Sequence, residues 1–196
     1  MITKLKEYLM NQMGKTNIGL VEYATRQLGR PYWYGTFGQL ATKALHENRK
    51  RAYPKYYTAN DFPKQYGKKV HDCIGLVKGY FWTKDADSTE YEYCKVFPDV
   101  SADAQYRRST RKGSTISSLP EEPGVLVFMD GHVGVYIGGG WVIEARGHKF
   151  GVVKTRLKDR PWERWAYIDE LEYIKEKPNV HEDKPGVITN VSCNIK

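Results

Sequence analysis

The chain has 196 residues, enough for one domain with a proper core and too few for two full ones. Hydrophobic residues at 40% and charged residues at 28% are ordinary for a globular protein, and no apolar run approaches the roughly 20 residues of a membrane span. A net charge of +8, from 31 basic and 23 acidic residues, favours polyanions such as nucleic acid, anionic lipid or the acidic polymers of a bacterial wall; with neither a basic zipper helix nor a paired-cysteine finger, nucleic acid is the least favoured of these.

Residues 1–15 read as a lead-in whose charged start lacks the apolar stretch of a secretory signal peptide. A chain of this kind reaches an extracellular target by another route, as a bacteriophage lysin does, or is a fragment of a longer secreted protein. Asn17 is expected to cap a helix through Leu28, with Ile18, Val21, Ala24, Thr25 and Leu28 on one face and Gly29 as its stop. Arg30-Pro31-Tyr32-Trp33-Tyr34-Gly35-Thr36 follows as an extended aromatic segment fixed by its proline, which either lines a groove or plugs the core. Residues 36–70 read as an insertion with one helix, Gln39 to Arg51, that turns Leu40 and Ala44 inward; the stretch either walls or lids a site or is a solvated decoration.

In His71-Asp72-Cys73-Ile74-Gly75-Leu76-Val77 a cysteine stands where a polar loop turns into an apolar helix continuing to Trp82. At a helix N-terminus, free backbone N–H groups and the macrodipole favour the thiolate, so Cys73 is a candidate nucleophile as well as a candidate core residue. The other cysteines, Cys94 and Cys193, fit no zinc spacing, and a disulfide between them is conceivable but has no support in the sequence.

After an irregular stretch from Thr83 to Val100, Ser101 caps a helix through Arg108. From Pro120 the pattern becomes that of an antiparallel meander. Its expected strands are 124–129, 132–137, 141–145, 150–156 and 162–168, with Asp130-Gly131 as a tight turn and Gly138-Gly139-Gly140 as the next. A helical first half followed by about five antiparallel strands is an α+β fold. The domain is expected over 16–178, with 179–196, containing Pro185-Gly186, as a tail or linker.

His132 begins a strand just after a tight turn. If the three glycines form a three-residue loop, Gly134 lies opposite Glu144, which puts Glu144 on the face of His132 one diagonal step away, about 7 Å or less between β-carbons. A two-residue loop would turn Glu144 to the other face. A carboxylate in reach of the imidazole fixes its tautomer and stabilises the imidazolium, leaving the second ring nitrogen for Cys73. The candidate catalytic set is therefore Cys73, His132 and Glu144, and it needs no metal or other cofactor. His71 and His148 are expected at the rim or surface.

Three ordered motifs carry a resemblance: Gly29-Arg30-Pro31-Tyr32-Trp33-Tyr34-Gly35, then Asp72-Cys73-Ile74-Gly75-Leu76-Val77, then Pro123-Gly124-Val125-Leu126-Val127-Phe128 with Gly131-His132-Val133-Gly134-Val135-Tyr136-Ile137-Gly138. Together they resemble the NlpC family of papain-like bacterial cell-wall cysteine peptidases, from about Asn17 to about Ile168. The resemblance implies a nucleophile-bearing helix packed on an antiparallel sheet. It implies an endopeptidase acting on peptidoglycan stem peptides, commonly at the bond between γ-D-glutamyl and a diamino acid. Cys73 would be nucleophile, His132 general base and Glu144 the orienting residue, where many members have histidine. Tyr32 matches the family's groove tyrosine and Asp72 an acidic residue used in ligand recognition; Tyr34 belongs to the same substrate-binding segment. Ile74 stands where serine is common and Thr36 where a glycine is, so the substrate is expected to differ from a free stem-peptide N-terminus. A monomeric wall hydrolase, or lysin, is the resulting expectation. Its rivals are a thiol amidase or acyltransferase on another substrate and a non-catalytic wall-binding module.

Overall fold

The computed structural model describes residues 15–175, so Cys193, the expected tail and most of the lead-in lie outside them. Helix α1 (Asn17–Arg26) is capped by Thr16 and not by Asn17: the threonine hydroxyl accepts from the Gly19 N–H at 3.0 Å. Asn17 is fully buried instead. Its amide donates to the Pro123 carbonyl at 2.9 Å and accepts from the Ile174 N–H at 2.9 Å, tying the helix start to two segments far along the chain. The helix ends before Leu28, which is exposed.

The aromatic segment divides its labour, because Trp33 is fully buried while Tyr32 and Tyr34 are only partly so. Trp33 centres a second core with Ala41, Tyr57, Phe62 and Val70, so residues 36–70 are a packed unit and not a decoration. Strand β1 (Phe37–Leu40) pairs antiparallel with β2 (Lys69–His71), and helix α2 (Lys43–Ala52) lies between them. The expected inward face of that helix is absent: Leu40 and Ala44 are exposed and α2 buries no residue. Its sequence, KALHENRKRA, has too few apolar positions to make a face, and the irregular stretch around Tyr57 and Phe62 fills the core in its place.

Helix α3 (Cys73–Trp82) begins at the thiol, as expected, and buries Ile74, Leu76, Val77, Phe81 and Trp82 in the main core. Gly75 is required there. A β-carbon at that position would lie 1.8 Å from the Thr36 carbonyl oxygen, so only glycine lets the helix start rest on the aromatic segment's backbone. Residues 83–100 are irregular but anchored, the Trp82 indole donating to the Phe97 carbonyl at 2.8 Å. Helix α4 (Ala102–Arg108) then starts from the expected Ser101 cap.

The meander is larger than expected by one two-residue strand, β3 (Lys112–Gly113). It joins β4 (Leu126–Met129), β5 (His132–Gly138), β6 (Trp141–Ala145), β7 (Val152–Arg156) and β8 (Arg164–Ala166) in the order β3-β8-β4-β5-β6-β7, antiparallel throughout. One sheet face packs Val133, Val135, Ile143 and Ala145 against α3 and α1, and the other carries Val127, Tyr136 and Val142 beneath Trp162. The α+β fold read from the sequence is the fold observed, with the helix that begins at Cys73 laid on the antiparallel sheet.

Candidate active site

Cys73 is the first residue of α3 and half-buried, its sulfur 3.9 Å from the Gly131 carbonyl oxygen at the turn before β5. The helix start thus abuts the end of the strand that begins with His132. Burial pushes the thiol up to about 12 and the neighbouring Asp72 carboxylate adds to the rise, while the backbone N–H groups of Ile74 and Val133 oppose it. Burial and the neighbouring carboxylate thus work against the helix-end N–H groups at this thiol.

His132 supplies a ring in the right place. Its Nε2–H donates to Glu144 Oε2 at 2.7 Å, which leaves Nδ1 as the free ring nitrogen. The hairpin reaches this arrangement differently from the expected three-residue loop. Gly138 pairs with Trp141, which leaves a two-residue loop, but an irregularity between Tyr136 and Gly138 absorbs the extra residue and restores Tyr136 opposite Val142 and Val135 opposite Ile143. Glu144 therefore stays on the face of His132.

Glu144 is fully buried and its carboxylate is saturated. Besides His132 it accepts from the Thr155 hydroxyl at 2.8 Å, from Arg160 Nε at 2.9 Å and from Arg160 Nη2 at 3.0 Å. Burial works against its charge, but the hydrogen bonds from His132, Arg160 and Thr155 outweigh that and bring the carboxyl down to about 2. Trp162 stacks on the His132 ring at 5.6 Å between centroids and 13° between planes. Neither Arg160 nor Trp162 is marked by any spacing in the sequence. The one available hint is Gly134: a β-carbon there would lie 2.5 Å from the Val142 side chain and 3.0 Å from the Trp162 ring, so a glycine within the strand makes room for a large side chain crossing it.

The remaining candidates are placed unequally. Burial above all, with the nearby Cys73 and Asp72 adding to it, raises the Tyr32 phenol far above the ordinary range, so it keeps its hydroxyl proton. Tyr34 stacks on Tyr56 at 3.7 Å with rings nearly parallel, at the edge of the second core. Asp72 is nearly buried, and both its oxygens are taken by backbone: Oδ1 accepts from Gly75 N at 2.6 Å and Oδ2 from Gly35 N at 2.8 Å. It clamps the start of α3 to the aromatic segment. His71 is not at the rim but fully buried, hydrogen-bonded to the Tyr23 hydroxyl at 3.1 Å. His148 joins the loop after β6 to the 36–70 unit through Asp61 at 2.6 Å and packs on Phe62.

The NlpC/P60 family profile matches residues 57–170, which include Cys73, His132 and Glu144. The chain belongs to the NlpC/P60 family. The family is one of cysteine peptidases and amidases, and its papain-like arrangement is the one described above. Among solved structures the chain is similar to NlpC2 from Trichomonas vaginalis at 15% identity, over 80% of this chain and 48% of that one, with a TM-score of 0.48. It is similar to the peptidoglycan hydrolase RipB from Mycobacterium tuberculosis at 20% identity, over 80% and 66%, with a TM-score of 0.46. The P60 domain of an antigen from M. avium subspecies paratuberculosis is 20% identical over 80% and 96%, with a TM-score of 0.47. The chain spans about half the length of the two Trichomonas proteins it matches. No curated protein sequence matches it.

The two positions at which the sequence was expected to depart from the family pattern are both buried. Ile74 is buried in the main core, so the residue after Cys73 adds hydrophobic contact on the helix's inner side. Thr36 is buried too, its hydroxyl donating to the Trp33 carbonyl at 2.7 Å and its own carbonyl accepting from Asp72 N at 2.9 Å.

Proposed function

We propose that this NlpC/P60 domain hydrolyses amide bonds in peptidoglycan stem peptides, with Cys73 as nucleophile, His132 as general base and then acid, and Glu144 as the orienting residue. The observation that carries the proposal is the 2.7 Å bond from His132 Nε2 to a fully buried, ionised Glu144, with Nδ1 left over and the Cys73 sulfur 3.9 Å from the carbonyl of the residue before His132. In the first step Nδ1 takes the proton from Sγ as sulfur attacks the amide carbonyl carbon. The oxyanion is held by the Cys73 backbone N–H and by the Tyr32 hydroxyl. The imidazolium gives its proton to the leaving amine, forming a thioester. Water, deprotonated by the same ring, then releases the acid and restores the thiol. All the groups required belong to one chain, so a monomer suffices.

The bond between γ-D-glutamyl and a diamino acid is the favoured target, in line with the family resemblance, and the cell wall is the place of action. Delivery as a phage lysin would suit the basic chain, whose +8 charge attracts acidic wall polymers. The test is digestion of purified peptidoglycan of several stem-peptide chemistries by the protein and by Cys73→Ala, with fragments identified by mass spectrometry. New amine termini are expected with the wild type alone. Their absence on every wall would sink the hydrolase reading.

A further inference from the structure

We infer that Arg160 is a positioning residue that sets the basicity of the His132 imidazole by sharing the Glu144 carboxylate with it. This deepens the Cys73–His132 reading above and rests on it. The guanidinium reaches both oxygens of Glu144, Nε to Oε1 at 2.9 Å and Nη2 to Oε2 at 3.0 Å, and Oε2 is the oxygen that also accepts from His132. Glu144 is wholly removed from water and Arg160 keeps only 18% of its side chain exposed. In such surroundings a carboxylate without a second cation would turn its full charge on the imidazole and strongly favour the imidazolium. A bidentate guanidinium neutralises most of that charge while holding the carboxylate plane where the ring needs it.

The other charged and titratable groups around His132 do not duplicate this effect. From α3 come the Cys73 thiol and, behind it, Asp72, which is spent on Gly35 and Gly75. From α4 comes Asp103, which accepts from Gly131 N at 3.4 Å and pairs with Arg164 of β8 at 3.0 Å. Asp130 lies in the turn itself, and Thr155 of β7 is uncharged. Among the described residues, Arg160 is the charged group that acts on the ring through its own partner, Glu144. Because the same segment carries Trp162, whose ring stacks on His132, one loop after β7 governs both the face and the far nitrogen of the imidazole.

Alkylation of Cys73 by iodoacetamide tests this without any wall substrate. The sulfur displaces iodide from the reagent's methylene carbon, and its proton leaves through His132 to solvent. The rate is followed against pH at the Cys73 peptide by mass spectrometry, which separates it from the exposed Cys94. In Arg160→Gln the inflection due to His132 should move up by about 1 pH unit, the usual effect of removing a like charge's influence at this range. Arg160→Lys, which keeps a charge but not the fork, should return most of the shift. Arg160→Met is the alternative neutral variant should the glutamine variant fail to fold. An inflection that stays put while the rate falls would reduce Arg160 to a structural support and overturn the inference, as would a wild-type profile with no His132 inflection. Loss of the hydrolase reading would register separately, as failure of the wild type to cut any wall.

Discussion

Replacing Glu144 by glutamine imitates its protonated form, so the stability lost should itself depend on pH. The carboxyl falls from an ordinary value of 4.5 to about 2 in the folded chain, against the cost of burial, because His132, Arg160 and Thr155 all donate to it. At about 1.4 kcal/mol per pH unit this lowering contributes about 3 kcal/mol. A depressed carboxyl contributes stability that is fully present above the unfolded value and is lost as pH falls through the folded one. Wild type should therefore exceed Glu144→Gln by about 3 kcal/mol at pH 7, and the gap should close between pH 4.5 and 2 to about 0.4 kcal/mol. Urea unfolding of both proteins at pH 7, 4 and 2.5, with matched m-values, measures it. A gap that is the same at every pH would mean that the charge on Glu144 contributes nothing and that its hydrogen bonds alone hold the site. Turnover should fall less in Glu144→Gln than in Cys73→Ala, since an orienting group is partly dispensable.

Other substitutions probe the scaffold. Gly75→Ala puts a methyl 1.8 Å from the Thr36 carbonyl oxygen and 2.8 Å from Asp72 Oδ1, so the helix start must shift. A displacement of about 1 Å at the nucleophile is expected to cost about 100-fold in single-turnover rate, and wild-type activity in this variant would refute the role given to the contact. Trp33→Ala empties the second core and breaks the 2.6 Å bond from its indole to Gln65 Oε1. A loss of about 3–5 kcal/mol is expected, with the first proteolytic cuts falling within residues 36–70. Cuts elsewhere first would mean that this unit does not depend on Trp33.

The helix at Cys73, the Ser101 cap and the tight turn before His132 were all legible because each rests on local chemistry: a polar residue before an apolar run, or a two-residue turn between apolar runs. The start of α1 lies one residue before the expected cap because Thr16 and Asn17 are both good caps, and only the contacts to Pro123 and Ile174 decide which one is free for the task. The 36–70 segment resisted reading because its core is built from rings spaced by no period and brought together around Trp33. The hairpin register was right although the loop was not, since a bulge can restore the alternation that loop length alone would break.

By itself the sequence determined which residues could do chemistry and their order along the chain: a cysteine at a helix start, a histidine after a turn, and a glutamate set by strand alternation to share its face. Those depend on periods of two and 3.6 residues and on turn preferences, which act over a few neighbours. Tertiary structure decided the state of the groups. It set burial and a neighbouring carboxylate against the helix-end N–H groups at the thiol, turned both Asp72 oxygens to backbone N–H groups, and brought Arg160 to the Glu144 carboxylate and Trp162 onto the imidazole from a loop beyond β7. Desolvation and charge pairing arise between segments far apart in the chain, so no local pattern records them.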